Sequence, residues 1–213
     1  VRALPYHLVL GETARWWAAQ ERYEPAPVPE TARTPMFSTW YCYHQNLDPD
    51  TIVEECRIGG ELGLGGVIVD DGWQTLDSNR GYAYTGDWKP ERIPDMKGFV
   101  DRIHALEQKV LLWYSVPMVG DKSEAVKLFQ GRTLSYHSGF GAYVLDPRYP
   151  EVREYLINIY ENALRDWGID GFKFDFIGMF APKGDTVLTA EDGRDLASVD
   201  GAVDRLMTDV MAR

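Results

Sequence analysis

In the stretch GIDGFKFDF (168–176), Lys173 and Asp175 stand two residues apart between phenylalanines. Successive side chains of a β-strand point to opposite faces, so the lysine and the aspartate share one face and Phe172, Phe174 and Phe176 share the other. A second pair of carboxylates, Asp70 and Asp71, closes the apolar run GGVIVDDGW (65–73), ahead of Gly72 and Trp73. Trp40 in MFSTWYCY (36–43) and Trp113 in KVLLWYSV (109–116) occupy comparable runs. Carboxylates and an ammonium group hydrogen-bond vicinal hydroxyls in both directions, and indole faces pack on the apolar faces of sugar rings. The set suits a carbohydrate. A strand-borne aspartate beside a cation also has the chemistry of a glycosyl acceptor, because a nearby ammonium favours the charged carboxylate and Asp and Glu are the usual nucleophiles of glycoside cleavage. Taken singly, each residue has a plainer explanation: a helix cap, a satisfied ion pair, a core tryptophan. Their recurrence at successive strand ends favours a site.

The elements that must position these residues follow a regular order. MFSTWYCY reads as a strand, and Asp48–Pro49 has the residue types of a helix N-cap and first helical position. GGVIVDDGW is a short buried strand, followed by a loop of about twenty residues through GDWKPERIP. Met96, Phe99, Val100, Ile103 and Leu106 then recur at helical spacing before KVLLWYSV. A long polar insertion follows, with one extra strand at AYVLD, and Val152, Tyr155, Leu156, Ile159 and Ala163 predict a helix leading into GFKFDF. Val203, Leu206, Met207 and Val210 predict the last helix. Strand then helix, four times over, predicts an α/β fold with a parallel sheet covered by helices, either a (β/α)8 barrel or an open doubly wound sheet. Both place ligands at the C-terminal ends of the strands, where the residues above fall. No GxGxxG or P-loop follows the first strand, which disfavours a nucleotide site. Residues 1–35 differ from the rest: HLVLGET reads as a strand and turn, ARWWAAQERY as a short helix, and EPAPVPETARTP as a linker.

Composition bounds the partners. Of 213 residues, 22 are Lys or Arg and 33 are Asp or Glu, a net charge of −11. That balance argues against a nucleic-acid surface and against an anionic membrane, and no apolar run is long enough for a transmembrane helix. Cys42 and Cys56 are too few for a disulfide framework and read as two small buried apolar side chains. The four His never form HxH or HExxH, and no CxxC occurs, so neither a metal nor another cofactor is expected. Asp70 and Asp71 as metal ligands are the third-ranked reading, since no His completes a set. Compartment is unreadable beyond a lean toward the cytoplasm.

From about Met36 to Phe176 the chain resembles the α-galactosidases of glycoside hydrolase family 36, which are related to family 27. The matching pieces are TWY, VDDGWQ, GDW, RIHALEQKVLLW, VLDPRYPEVREYL and WGIDGFKFDF, in that order. HLVLGET is similar to the segment joining that family's N-terminal β-sandwich to its barrel. The resemblance implies that residues 36–213 form about the first four units of a (β/α)8 barrel, with residues 1–35 the tail of the preceding sandwich. It implies retaining cleavage of terminal α-galactosides in an oligosaccharide, with Asp175 as nucleophile and Lys173 contacting sugar hydroxyls and Asp175. It further implies that Asp70 and Asp71 take the hydroxyls on the O4 and O6 side and that Trp40 and Trp113 line the pocket. The family's general acid/base, an Asp near the sixth strand, would lie outside these residues, and Asp146 is a poor substitute. Many relatives carry an Arg shortly before VLD; SYHSGFGAYVLD has none. An α-N-acetylgalactosaminide substrate, a raffinose-synthase-like galactosyl transfer and a non-catalytic sugar-binding half-barrel remain as alternatives, and relatives are often oligomeric.

Overall fold

The computed structural model describes residues 5–21 and 27–213. The chain divides into two compact units, Val1–Thr34 and Pro35–Arg213. In the first, helix α1 (Tyr6–Ala18) buries none of its residues, and a 3-10 turn follows at Glu30–Arg33. HLVLGET is therefore helical, not a strand and turn. A three-residue apolar run cannot be told from a helix segment by periodicity, and here it continues into helix formers after Pro5. Residues 22–26, the end of the short helix expected at ARWWAAQERY and the start of the expected linker, lie outside the described residues.

The second unit is built on four parallel strands, β1 (Met36–Ser38), β2 (Gly66–Val69), β3 (Lys109–Ser115) and β7 (Gly171–Asp175), side by side in chain order. Helices α3 (Pro49–Glu61), α4 (Met96–His104) and α5 (Pro150–Asn162) connect them, and α6 (Val199–Ala212) follows. The two faces of the sheet differ. Val67, Val69, Val110, Leu112 and Tyr114 are fully buried in the helix-covered core. On the alternate face Ile68, Leu111 and Lys173 are half-buried, while Trp113 and Ser115 are covered. Each helix starts and stops where its sequence dictates. Asp48 caps α3, accepting from the Thr51 N–H at 2.8 Å, with Pro49 at the first position. Helix α5 runs into a π-helical turn (Ala163–Trp167), and Gly168 at φ 71° ends it directly before β7.

Three expectations are corrected here. The first strand stops at Ser38: Thr39 turns helical and Trp40–Tyr43 forms a short helix, α2. Thr39 still joins β2, its N–H donating to the Ile68 carbonyl at 3.1 Å and its hydroxyl accepting the Asp70 N–H at 2.9 Å. The insertion after β3 holds a complete antiparallel sheet of β4 (Met118–Gly120), β5 (Thr133–His137) and β6 (Ala142–Leu145), of which only the last was predicted. Cys42 is exposed on α2 rather than buried; Cys56 is buried, and burial, with Glu55 adding, pushes its thiol up to about 11.

Two charged clusters fix the ends of this frame. At the N-terminal edge, Asp170 accepts from Lys109 Nζ at 2.7 Å and from the Val110 N–H at 2.9 Å, and its other partner is His104 Nε2 at 2.8 Å. Past β7, the buried Arg148 guanidinium donates to both oxygens of Asp146 and to the carbonyls of Val187 and Ala197. Arg153 pairs both Asp195 oxygens, at 3.0 and 2.6 Å. Both arginines thereby pin the loop after β7 to the start of α5.

Candidate active site

Strand periodicity places Trp113 in register with Lys173 and Ser115 with Asp175. Asp70 and Asp71 follow the last residue of β2 directly. Four of the residues singled out in the sequence meet in one hydrogen-bonded group. Lys173 Nζ donates to Asp70 Oδ2 at 2.7 Å and lies 3.9 Å from Asp175 Oδ2. Trp113 Nε1–H donates to Asp175 Oδ2 at 2.9 Å, and the Phe176 N–H donates to Asp175 Oδ1 at 2.8 Å. The side chains of Lys173 and Asp175 are 37% and 38% exposed, against 3% for Asp70, so the lysine and Asp175 form the open part of the group. The ammonium bridges a buried carboxylate and an open one, and both oxygens of the open one have fixed donors.

Asp71 is placed differently. It is 1% exposed, with Oδ2 accepting from Gln45 Nε2 and Oδ1 from Gln74 Nε2, each at 2.7 Å. Burial pushes its carboxyl up to about 6, against the two amide bonds that pull it down, and neighbouring Asp70 adds to the rise. Gln45 also accepts the Arg80 N–H at 2.6 Å, so Asp71 braces two loops at the mouth. Gly72, at φ 116°, lets the chain pass there: a Cβ would stand 2.6 Å from Gln45 Cα. Sequence reasoning missed both glutamines. Gln74 sits within VDDGWQ and was legible as a neighbour; nothing marks Gln45.

The aromatic residues sit at different depths around this group. Trp40 heads α2, half-buried and edge-on to His44 at 4.9 Å, with no bond to the charged group. Trp113 is 1% exposed, covered by Tyr82 (stacked, 5.9 Å), Trp88 and Phe176. Phe172 and Phe174 stack at 5.1 Å beside Tyr160 of α5, as the alternation requires. Phe176 does not join them. Its φ of 63° ends the strand and carries its ring to Tyr82 and Trp113 on the polar side. Tyr82 packs on Phe140 of the β5–β6 turn, and burial, with the charges of Asp71, Asp175 and Asp70 adding, raises its phenol well above the ordinary range. Among the described residues no group of three or more His, Cys, Asp or Glu could hold a metal ion. No described helix is long and apolar enough to cross a membrane.

The melibiase family model matches residues 20–200. The chain belongs to the melibiase family. Its relatives are α-galactosidases of glycoside hydrolase family 36. Alpha-galactosidase AgaA of Geobacillus stearothermophilus is 26% identical over 172 residues, which cover 76% of this chain and 23% of that protein. The crystal structure of an AgaA variant with raffinose superposes with a TM-score of 0.70 at 24% identity, over 85% of this chain and 26% of that one. TtGalA, an α-galactosidase of Thermus thermophilus in complex with p-nitrophenyl α-D-galactopyranoside, superposes with a TM-score of 0.67 at 22% identity, over 93% of this chain and 40% of that one. This melibiase-family chain thus spans about a quarter of the length of the curated relative it matches. The shared fold supplies the four-stranded parallel sheet and its helices.

Proposed function

We propose that this chain is the nucleophile-bearing arc of a (β/α)8 barrel in a retaining α-galactosidase. The observation that carries the reading is the state of Asp175, open to solvent at a strand end with each oxygen held by one N–H donor, beside a lysine anchored on Asp70. Parallel strands in unbroken chain order suit an arc of a barrel better than a doubly wound sheet, whose strand order reverses at a switch point.

In this reading a terminal α-galactosyl group of an oligosaccharide sits over Lys173 and Asp175. The relatives' complexes with raffinose and with a nitrophenyl galactoside support that substrate class. Asp175 attacks the anomeric carbon, the bond to the leaving oxygen breaks, and a carboxylic acid outside these residues protonates that oxygen. The same group then removes a proton from water, which displaces Asp175 from the anomeric carbon. Lys173 donates to sugar hydroxyls, and the buried Asp70, whose Oδ1 accepts the Asp71 N–H and whose Oδ2 accepts from Lys173, orients it. Asp71, with both oxygens engaged, braces the mouth rather than touching the sugar. Retaining chemistry needs a second carboxyl about 5 Å from the nucleophile, and the nearby Asp70 is already paired with Lys173. That engagement favours one second reading, a site that binds the sugar without turning it over.

The test uses the full polypeptide that carries these residues. Asp175→Ala is expected to abolish turnover of an activated aryl α-galactoside, with partial rescue by azide acting as an external nucleophile. Undiminished activity in that variant would overturn the assignment, and a wild type that binds galactose without turnover would establish the second reading.

A further inference from the structure

The geometry points to Trp113 as a positioning residue for the Asp175 carboxylate, held in turn by the indole of Trp73, and not as a wall against which a sugar ring stacks. The inference rests on Asp175 being the nucleophile. A stacking role needs an open indole face, and Trp113 has none: Tyr82, Trp88 and Phe176 cover it. What the ring directs at the site is its N–H, which reaches Asp175 Oδ2 at 2.9 Å.

The backbone explains why that N–H is so placed. The Lys109 N–H bonds to Gly65 on the β2 side of β3, and the Val110 carbonyl accepts from Asp170 on the β7 side. Alternation along the strand then turns the Trp113 carbonyl toward β2. Pairing with β2 ends at Val69↔Leu112, one residue short of it. That carbonyl would be left unpaired in the core. Trp73 Nε1–H fills the vacancy at 2.8 Å, from a ring that is itself fully buried and stacked on Trp88. Two buried indoles thus form a relay in which Trp73 fixes the Trp113 backbone and Trp113 fixes Oδ2. The Phe176 N–H, delivered by a left-handed residue, fixes Oδ1. An aspartate free to rotate about its terminal torsion would present many carboxylate planes to the anomeric carbon. Donors on both oxygens leave one, which is how positioning lowers a barrier.

The experiment measures covalent labelling by an α-galactosyl fluoride carrying a second ring fluorine, whose leaving fluoride needs no proton from an acid. The full polypeptide is compared with Trp113→Phe and with a protein carrying the benzothiophene isostere of tryptophan at position 113. That isostere keeps the ring shape and cannot donate. Removing one hydrogen bond to a charged group is expected to lower the limiting inactivation rate about 10- to 100-fold in both, with the half-saturating inactivator concentration nearly unchanged. A purely structural or stacking role leaves the isostere labelling at the wild-type rate, or moves only the half-saturating concentration; either result overturns the inference. Absence of labelling at Asp175 in the wild type would overturn the nucleophile reading, and the positioning role with it.

Discussion

Asp71 is buried, and the consequence is a pH dependence of stability. An acid whose folded-state value is raised from 3.8 to about 6 binds its proton more tightly folded than unfolded. Its contribution is therefore fully present below about pH 4 and is lost as pH rises toward 6, levelling off above. The size is on the order of 2–3 kcal/mol. Thermal melts across that range are expected to show this decline in the wild type and its absence in Asp71→Asn, which cannot ionise. An unchanged slope in the variant would show that another group carries it. At this scale the sequence was legible wherever strand alternation decides direction: Lys173, Asp175 and Trp113 share a face because they are two residues apart or in register. It was not legible where a loop supplies the partner. Gln45 reaches Asp71 from 26 residues away, and Phe176 crosses to the polar side through a backbone angle that no phenylalanine announces.

At the scale of elements, the frame depends on a few junctions. Asp170 joins the end of α4, the start of β3 and the approach to β7. Burial pushes its carboxyl up, but the bonds from Lys109, Val110 and His104 outweigh burial and hold it below the ordinary range. The sign is opposite to that of Asp71: its contribution is present above about pH 4 and is lost as pH falls further. Asp170→Asn is expected to lower stability by roughly 1–2 kcal/mol at pH 7, since its ionic partners are partly exposed, and by less at pH 3. Denaturant midpoints at the two pH values check this; an equal loss at both would contradict the ionic account. Gly72→Ala is expected to cost about 2 kcal/mol or more, because both its φ and the Gln45 backbone exclude a Cβ. A melting temperature equal to wild type would show that the loop can shift. The strand–helix rhythm was readable because buried parallel strands are continuous apolar runs. The antiparallel sheet was not, since β4 is three residues long and β5 carries mostly polar residues on a half-exposed surface.

For the whole molecule, the net charge of −11 disfavours an anionic ligand, and the proposed ligand is neutral. A galactoside carries no charge to be screened, so its affinity is expected to change by less than about twofold between 0.05 and 0.5 M salt. A steep salt dependence in a titration would point to a charged ligand instead. The parallel sheet was legible at this scale as an ordered set of motifs, VDDGWQ through WGIDGFKFDF, that fall on its strands and on the segments joining them. The most direct test of a galactosyl site built around Asp175 is peptide mapping of the full polypeptide after treatment with the fluorinated α-galactosyl fluoride. Mass added to the peptide carrying GFKFDF, localised to Asp175, is the expected result. Label on a different carboxylate, or none on a protein that turns over α-galactosides, would contradict it.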